Sequence, residues 1–287
     1  MQQVTANTYT EIETPGCNYS FVITSAGIVM IDTPSLPTTA AIWQREIDQR
    51  GNLRYIINTE YHIDHISGNY FFSGTVISHE GIKNMFSAPV ENVIAFPEGI
   101  KVGLDIGQGT KGYIVNRFKK LDPQGTSQLD NYDLRSPDIT FSERTNLYVG
   151  DHTFELIHLP GHTPYEVGVY VPQEAVVFTG DNVTNGIQPS LAHCCPVEWL
   201  ESLKKIEAMD VDVVVPGHGE IGDKRIVREV TQFIQECIDA VRKAINQGMN
   251  KEEAADRISF EEVRTALHPG PGQQRSNVLR LYEILSK

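Results

Sequence analysis

Four side chains that commonly bind metal ions lie within six residues of one another, in the segment IINTEYHIDHISGN. They are Glu60, His62, Asp64 and His65. Imidazole and carboxylate groups together suit zinc, iron or manganese, and so many donors can hold two ions if further ligands arrive from elsewhere. Because the segment follows an apolar run, alternation along a strand would point Glu60, His62 and Asp64 to one face, with His65 arriving as the chain turns. The spacing therefore predicts a metal centre at the end of a strand.

Three further candidate ligands each follow an apolar run that is typical of a strand. They are His162 in LPGHT, Asp181 in FTGD and His218 in VPGHGE. Isolated polar residues at strand ends are well placed to meet at one edge of a sheet. We expect these three side chains to complete the centre.

This order of motifs resembles that of the metallo-β-lactamase-fold hydrolases. Those proteins carry a T-x-H-x-H-x-D-H stretch, followed by an isolated His, an isolated Asp and a last His. The resemblance spans most of the chain and departs at one position, where Glu60 stands in place of histidine. It implies two metal positions: the first with Glu60, His62 and His162, the second with Asp64, His65 and His218, and Asp181 bridging them.

The resemblance also implies an activity. Two divalent metal ions, Zn most readily with Fe or Mn as alternatives, would supply a metal-bound hydroxide that cleaves an ester, lactone, amide or thioester bond of a small molecule. Asp64 would be catalytic, because a ligand of the second metal can also orient the attacking water or accept its proton. His193, in PSLAHCC, lies in a segment that often lines the pocket, so we expect it to bind substrate. The alternative is that His193 caps the following helix.

Three other functions stay open at this stage. A β-lactamase is one, since some lactamases of this fold carry Glu or Gln at the first ligand position, although they work outside the cytoplasm. A diiron or dimanganese oxygen- or redox-active enzyme is another, because an extra carboxylate favours those metals over zinc. The third is a non-catalytic metal-binding sensor, whose expected sign would be loss of Asp64 or His65, and both are present.

Composition and charge limit the classes of molecule that the protein is expected to bind. A formal net charge of −13 argues against a broad phosphate-binding surface, so we expect a small-molecule substrate and no nucleic acid. The sequence has no apolar run of about 18 residues and no signal-like start, which predicts a cytoplasmic protein without a membrane partner. Four scattered cysteines favour reduced thiols. The sequence leaves a homo-oligomer open.

The elements that must position these residues alternate between strand-like and helical patterns, which indicates an α/β fold. The resemblance makes this a four-layer αβ/βα sandwich, with two mixed β-sheets flanked by helices. We expect a single domain over residues 1–287, with a C-terminal helical extension at about 223–287. Between about 88 and 143 the periodicity breaks down among glycines and prolines. That insertion is expected to lack regular structure and to form a lid over the site, an oligomer contact or a flexible surface loop.

Overall fold

The protein is described by a computed structural model, which covers residues 1–89, 109–260 and 273–287. Its strands are β1 (Gln2–Gln3), β2 (Thr8–Glu11), β3 (Tyr19–Thr24), β4 (Gly27–Ile31), β5 (Leu53–Ile57), β6 (Thr75–His79), β7 (Ile139–Phe141), β8 (Arg144–Val149), β9 (His152–His158), β10 (Val167–Val171), β11 (Val176–Phe178), β12 (Thr184–Asn185), β13 (Val213–Val215) and β14 (His218–Gly219). Its α-helices are α1 (Pro37–Asp48), α2 (Ile63–Ile66), α3 (Glu80–Met85), α4 (Gly109–Leu121), α5 (Pro123–Thr126), α6 (Pro196–Ala208), α7 (Lys224–Asn246), α8 (Lys251–Arg257) and α9 (Gln273–Leu285). Short 3₁₀ helices lie at Ser67–Phe71, Pro172–Glu174 and Gly180–Asn182.

The described strands form two large mixed sheets and one small one. The first sheet runs β1-β2-β3-β4-β5-β6-β7; its pairs are antiparallel as far as β4 and parallel from there on. The second sheet runs β13-β11-β10-β9-β8 and is antiparallel except for the pair of β11 and β13. Strands β12 and β14 form a short parallel pair beside them.

The two large sheets pack face to face, with helices on their outer faces. Between the sheets, residues such as Val29 and Ile57 of the first share one buried apolar cluster with Phe154 and Val169 of the second. Trp43 of α1 covers the outer face of the first sheet, and α6, α7 and α9 cover the second. Burying both faces of each sheet in this way supplies the main apolar driving force. The predicted four-layer α/β sandwich is confirmed.

The expectation that the insertion lacks regular structure was wrong for part of its length. Residues 109–121 form α4, and its buried side chains Tyr113, Ile114 and Phe118 pack in one cluster with Tyr61 and Ile63 of the motif segment. The local sequence did not predict this helix, because glycines and charged residues interrupt its apolar pattern. Tertiary packing, rather than local propensity, stabilises it. Residues 90–108 of the insertion lie outside the described residues, so the lid stays a prediction.

The C-terminal region carries the helices that the sequence pattern predicted. Helix α7 (Lys224–Asn246) ends before Gly248, whose φ of +75° is a conformation that glycine adopts without strain. None of the helices in the described ranges combines the length and apolar character needed to cross a bilayer.

Candidate metal centre

The motif segment leaves the first sheet sooner than the alternation argument assumed. Strand β5 ends at Ile57, and Asp64 and His65 lie in the short helix α2. Beyond the strand, the Asn58 amide hydrogen-bonds the Asn69 side chain, which anchors the turn. Glu60, His62 and Asp64 therefore meet through a turn, and the prediction that one strand face presents them was wrong.

Two of the other three predicted ligands, His162 and Asp181, follow strands of the second sheet, and the third, His218, lies in the small sheet beside it. His162 lies in the loop after β9, Asp181 follows β11, and His218 begins β14. The Asn182 side chain fixes the His162 loop, because its Oδ1 accepts a hydrogen bond from the His162 backbone N–H at 2.9 Å. The ligand-bearing ends of both sheets thus meet at one edge of the sandwich.

The first group of donors contains Glu60, His62, His162 and Asp181, with donor atoms all within 4.8 Å of one another. Oε2 of Glu60 lies 2.6 Å from Nδ1 of His62, and Nδ1 of His62 lies 3.3 Å from Nε2 of His162. Oδ2 of Asp181 lies 3.5 Å from that same His162 nitrogen. All four residues are buried.

The second group contains Asp64, His65 and His218, again with donor atoms within 4.8 Å of one another. Nε2 of His218 lies 3.3 Å from Oδ2 of Asp64 and 3.4 Å from Oδ2 of Asp181. Oδ1 of Asp181 lies 3.4 Å from Nε2 of His65. Asp181 therefore contacts both groups, and the structure brings all seven predicted ligands together.

The donor atoms fit a bound cation. Both carboxylate oxygens of Glu60, Nε2 of His65 and Oδ1 of Asp181 are buried, and within the described part of the chain none has a hydrogen-bond partner. Burying such groups unsatisfied is costly, since each loses its hydration. Lone pairs that converge on a shared point without bonding one another are what a metal ion requires, so these residues fit two divalent ions.

The pKa values of the histidines differ between the two donor groups. Burial lowers the pKa of His62 to about 4 and that of His162 to about 3, so both imidazoles are neutral and able to ligate. Burial also lowers the pKa of His218, but Asp181 and Asp64 outweigh it and raise the pKa to about 10. Burial raises the pKa of Asp64, yet His218 and His65 hold it well below its usual range.

Asp32, which the sequence analysis missed, orients His65. Its Oδ2 accepts a hydrogen bond from Nδ1 of His65 at 2.9 Å and another from the Thr59 hydroxyl at 2.6 Å, and its Oδ1 accepts the Thr59 N–H at 2.8 Å. Cys17 completes a third group of donors with Asp32 and His65. The Cys17 thiol donates to the Asp64 carbonyl at 3.1 Å, so this group supports the centre. The available signal was an Asp directly after an apolar strand, as at Asp181.

Glu166 is a second buried carboxylate that the sequence analysis missed. Its Oε1 accepts the Asp181 N–H at 2.8 Å, and its Oε2 accepts the Thr163 hydroxyl at 3.0 Å. Burial, with Glu60 and Asp181 nearby, holds the pKa of Glu166 well above its usual range. Gly180 passes so close that an added Cβ would collide with Glu166. A single Glu within the apolar run EVGVYV was the only signal.

His193 reaches the centre from the turn before α6. Its Nδ1 lies 2.9 Å from Nε2 of His62, and its ring is partly exposed. The N-cap of α6 is Cys195, so His193 is not the residue that caps this helix. Whether it contacts substrate stays a prediction.

Comparison with known families agrees with this geometry. A model described as the metallo-beta-lactamase superfamily matches residues 13–218. This range includes all seven ligands and ends at His218.

Relatives include named hydrolases. The chain is 23% identical over 236 residues to a linear primary-alkylsulfatase of a Pseudomonas species, covering 72% of this chain and 43% of that protein. It is 22% identical over 190 residues to a human acyl-coenzyme A thioesterase, covering 63% of this chain and 62% of that protein. The solved inverting sec-alkylsulfatase Pisa1 from Pseudomonas sp. has a TM-score of 0.71 at 15% identity, covering 98% of this chain and 49% of that one. The chain thus spans less than two thirds of each of these proteins.

Proposed function

We propose that this chain, which belongs to the metallo-β-lactamase superfamily, is a metal-dependent hydrolase that cleaves an ester or thioester bond of a small molecule at a dinuclear centre. The observation that carries the proposal is the pair of donor groups that share Asp181. The buried oxygens of Glu60, which have no hydrogen-bond partner among the described residues, support it, because a bound cation would satisfy them. Zinc is our first choice, with iron and manganese as alternatives.

Two divalent ions in such a centre lower the pKa of water and polarise the bond under attack. Glu60, His62 and His162 would hold the first ion, Asp64, His65 and His218 the second, and Asp181 both. The remaining residues keep these donors in place: Asp32 holds His65, and Asn182 holds the His162 loop. Preorganised ligands of this kind reduce the rearrangement that the reaction would otherwise need.

The exposure of the ligands indicates the side from which substrate arrives. The side chains of Asp64 and His218 are 25% and 23% exposed, whereas those of Glu60 and His62 are 0% and 2% exposed. Asp64 is therefore the carboxylate that solvent and substrate reach. Because its pKa lies well below the usual range, Asp64 is ionised near neutral pH and can orient the attacking water by accepting a hydrogen bond from it.

The bond type is drawn from the relatives. One is named for sulfate-ester cleavage and another for thioester cleavage, so these two bonds come first, ahead of lactones and amides. A redox-active iron or manganese enzyme is the second candidate. Three carboxylates among seven ligands favour it, because hard oxygen donors suit those metals.

A substrate panel tests the proposal. Purified protein reconstituted with zinc, iron or manganese is assayed with 4-nitrophenyl acetate, 4-nitrophenyl sulfate, dodecyl sulfate, an acyl-coenzyme A, a lactone and a chromogenic cephalosporin, while oxygen consumption is recorded. We expect turnover of an ester or thioester that requires metal and is lost in His62→Ala. Metal-dependent oxygen consumption without hydrolysis would favour the second candidate, and hydrolysis of the cephalosporin alone would indicate a β-lactamase.

A further inference from the structure

His62 is held from two sides. Its Nδ1 faces the first donor group, 2.6 Å from Oε2 of Glu60. Its Nε2 faces away from that group and lies 2.9 Å from Nδ1 of His193. The two rings have centroids 5.2 Å apart and planes inclined by 30°. His193 is therefore the hydrogen-bond partner of the His62 nitrogen that does not face the centre.

This arrangement fixes which nitrogen carries the proton. A nitrogen that binds a metal must present its lone pair, so a metal held by Nδ1 of His62 requires the proton on Nε2. That N–H then donates to Nδ1 of His193, which must be an acceptor. A neutral His193 therefore carries its proton on Nε2, because its Nδ1 is the acceptor.

The loop that carries His193 is anchored at both ends. On one side, the Cys195 N–H donates to the Gly161 carbonyl at 2.8 Å, which joins this loop to the His162 loop. On the other side, Asn277 of α9 holds the loop. Its Oδ1 accepts the Leu191 N–H at 2.8 Å, and its Nδ2 donates to the Pro189 carbonyl at 3.2 Å.

Helix α9 makes a second contact with the same loop. The Gln273 side chain donates to the Gln188 carbonyl at 2.9 Å. Asn277 is 1% exposed, so its two hydrogen bonds are shielded from water and define the loop position firmly. Helix α9 lies beyond residues 13–218, the range of the family match.

From these contacts we infer that His193 is a positioning residue for the metal ligand His62, and that Asn277 of the C-terminal helix holds His193 in place. The inference rests on the metal centre of the proposed function, but not on any particular reaction. It assigns the C-terminal extension a role in building the centre. It also differs from the sequence-based expectation of a substrate contact, which would alter KM and leave metal affinity unchanged.

The first test measures metal affinity in His193 variants of the full chain. Zinc affinity is determined by competition with a chromogenic chelator, and the visible spectrum of the cobalt-substituted protein reports ligand geometry. Loss of a hydrogen bond behind a metal ligand commonly weakens metal binding by about 10–100-fold. We expect that loss in His193→Phe, with a changed cobalt spectrum, and recovery of most of the affinity in His193→Gln, whose amide oxygen accepts a hydrogen bond.

The second test changes Asn277 in α9, which is distant in sequence from every predicted ligand. Asn277→Leu removes both hydrogen bonds to the loop, whereas Asn277→Asp keeps the acceptor for the Leu191 N–H. Gln274→Ala is the matched control, because Gln274 donates to the Ile258 carbonyl and not to this loop. We expect weaker zinc binding and an altered cobalt spectrum in Asn277→Leu, a smaller change in Asn277→Asp, which keeps one of the two hydrogen bonds, and no change in the control.

These measurements use no substrate, so a failure to find any hydrolysis leaves them valid. Thermal unfolding of each variant confirms that it is folded, and His193→Gln and Asn277→Asp keep the test usable if the larger changes prevent folding. Unchanged zinc affinity and cobalt spectrum in a folded His193→Phe would overturn the inference. A raised KM with unchanged metal affinity would return His193 to a substrate contact.

Discussion

Oε1 of Glu60 lies 3.2 Å from Nε2 of His65, although the family resemblance assigns these two residues to different metal positions. The other oxygen of Glu60 lies 2.6 Å from Nδ1 of His62. The carboxylate thus spans the two donor groups, and a histidine at this position would offer only one lone pair. Burial raises the pKa of Glu60 well above its usual value, because removing the carboxylate from water disfavours its charged form.

We predict that Glu60→Ala reduces the metal content from near two ions per chain towards one, because the first position loses a direct ligand. Glu60→His should keep two ions and shift the preference towards zinc, since imidazole replaces a hard oxygen donor. Metal per chain is measured by elemental analysis, with the exposed carboxylate variant Glu198→Ala as the control. An unaltered metal count in Glu60→Ala would show that Glu60 is not a ligand.

Asp32 is not assigned to either metal position, but it hydrogen-bonds the predicted ligand His65. A substitution there tests whether orienting a ligand matters for metal binding. Asp32→Asn keeps the shape of the side chain, but its amide group cannot accept from both His65 and Thr59 as the carboxylate does. We predict a loss of zinc affinity of about 10–100-fold. The exposed variant Asp48→Asn serves as the control. If Asp32→Asn binds zinc as tightly as the control, the orienting role of Asp32 is wrong.

Much of this centre could be predicted from the sequence, and the reason lies in where the residues fall. His62, His162, Asp181 and His218 each stand near the end of an apolar run, which made them candidate ligands, and the family resemblance assigned them to metal positions. Asp32 and Glu166 have the same local character, but their importance arises from contacts across the fold: Asp32 meets His65 33 residues away. Helix α4 escaped prediction because packing against Tyr61 and Ile63 stabilises it, and local sequence does not encode that packing.

A separate buried cluster predicts how stability depends on pH. Glu174 accepts hydrogen bonds from the Thr5 hydroxyl, from the Asn7 backbone N–H at 3.0 Å and side chain at 2.7 Å, and from His152 at 3.0 Å. Burial raises the pKa of Glu174, but these bonds outweigh it and lower the pKa to about 2. Burial lowers the pKa of His152, but Glu174 and Asp151 outweigh it, so that pKa is raised.

The signs of these two shifts define a pH window. A lowered carboxylate pKa gives stability that is present above the usual value of 4.5 and is lost as pH falls towards about 2. A raised histidine pKa gives stability that is present below the usual value of 6.5 and is lost as pH rises through the folded-state pKa. Both contributions are therefore fully present between pH 4.5 and 6.5.

We predict that Glu174→Gln lowers the free energy of unfolding by roughly 1–3 kcal/mol at pH 5.5, and that this deficit shrinks as pH falls below 4.5. Urea unfolding of metal-free protein, followed by tryptophan fluorescence, measures it. Glu46→Gln is the control, because Glu46 pairs with Arg50 on the surface, where such pairs contribute little. A deficit that does not change between pH 5.5 and pH 3 would contradict the assignment.

Helix α4 should contribute to stability through Phe118, which is 0% exposed. We predict that Phe118→Ala lowers the free energy of unfolding by about 3–5 kcal/mol, because it leaves a cavity beside the motif segment. Lys119→Ala, at the adjacent exposed position, should change it by less than about 0.5 kcal/mol. Equal effects of the two changes would show that α4 does not pack as described.

The central claim is that the two donor groups hold metal ions that the protein needs for hydrolysis. The most direct measurement titrates zinc into metal-free protein while recording bound metal and turnover of the best ester or thioester together. We predict no turnover without metal and full turnover near two ions per chain. His62→Ala and His218→Ala should each lose turnover and bind fewer than two ions per chain. Full turnover by the metal-free protein, or two tightly bound ions in both variants, would contradict the account.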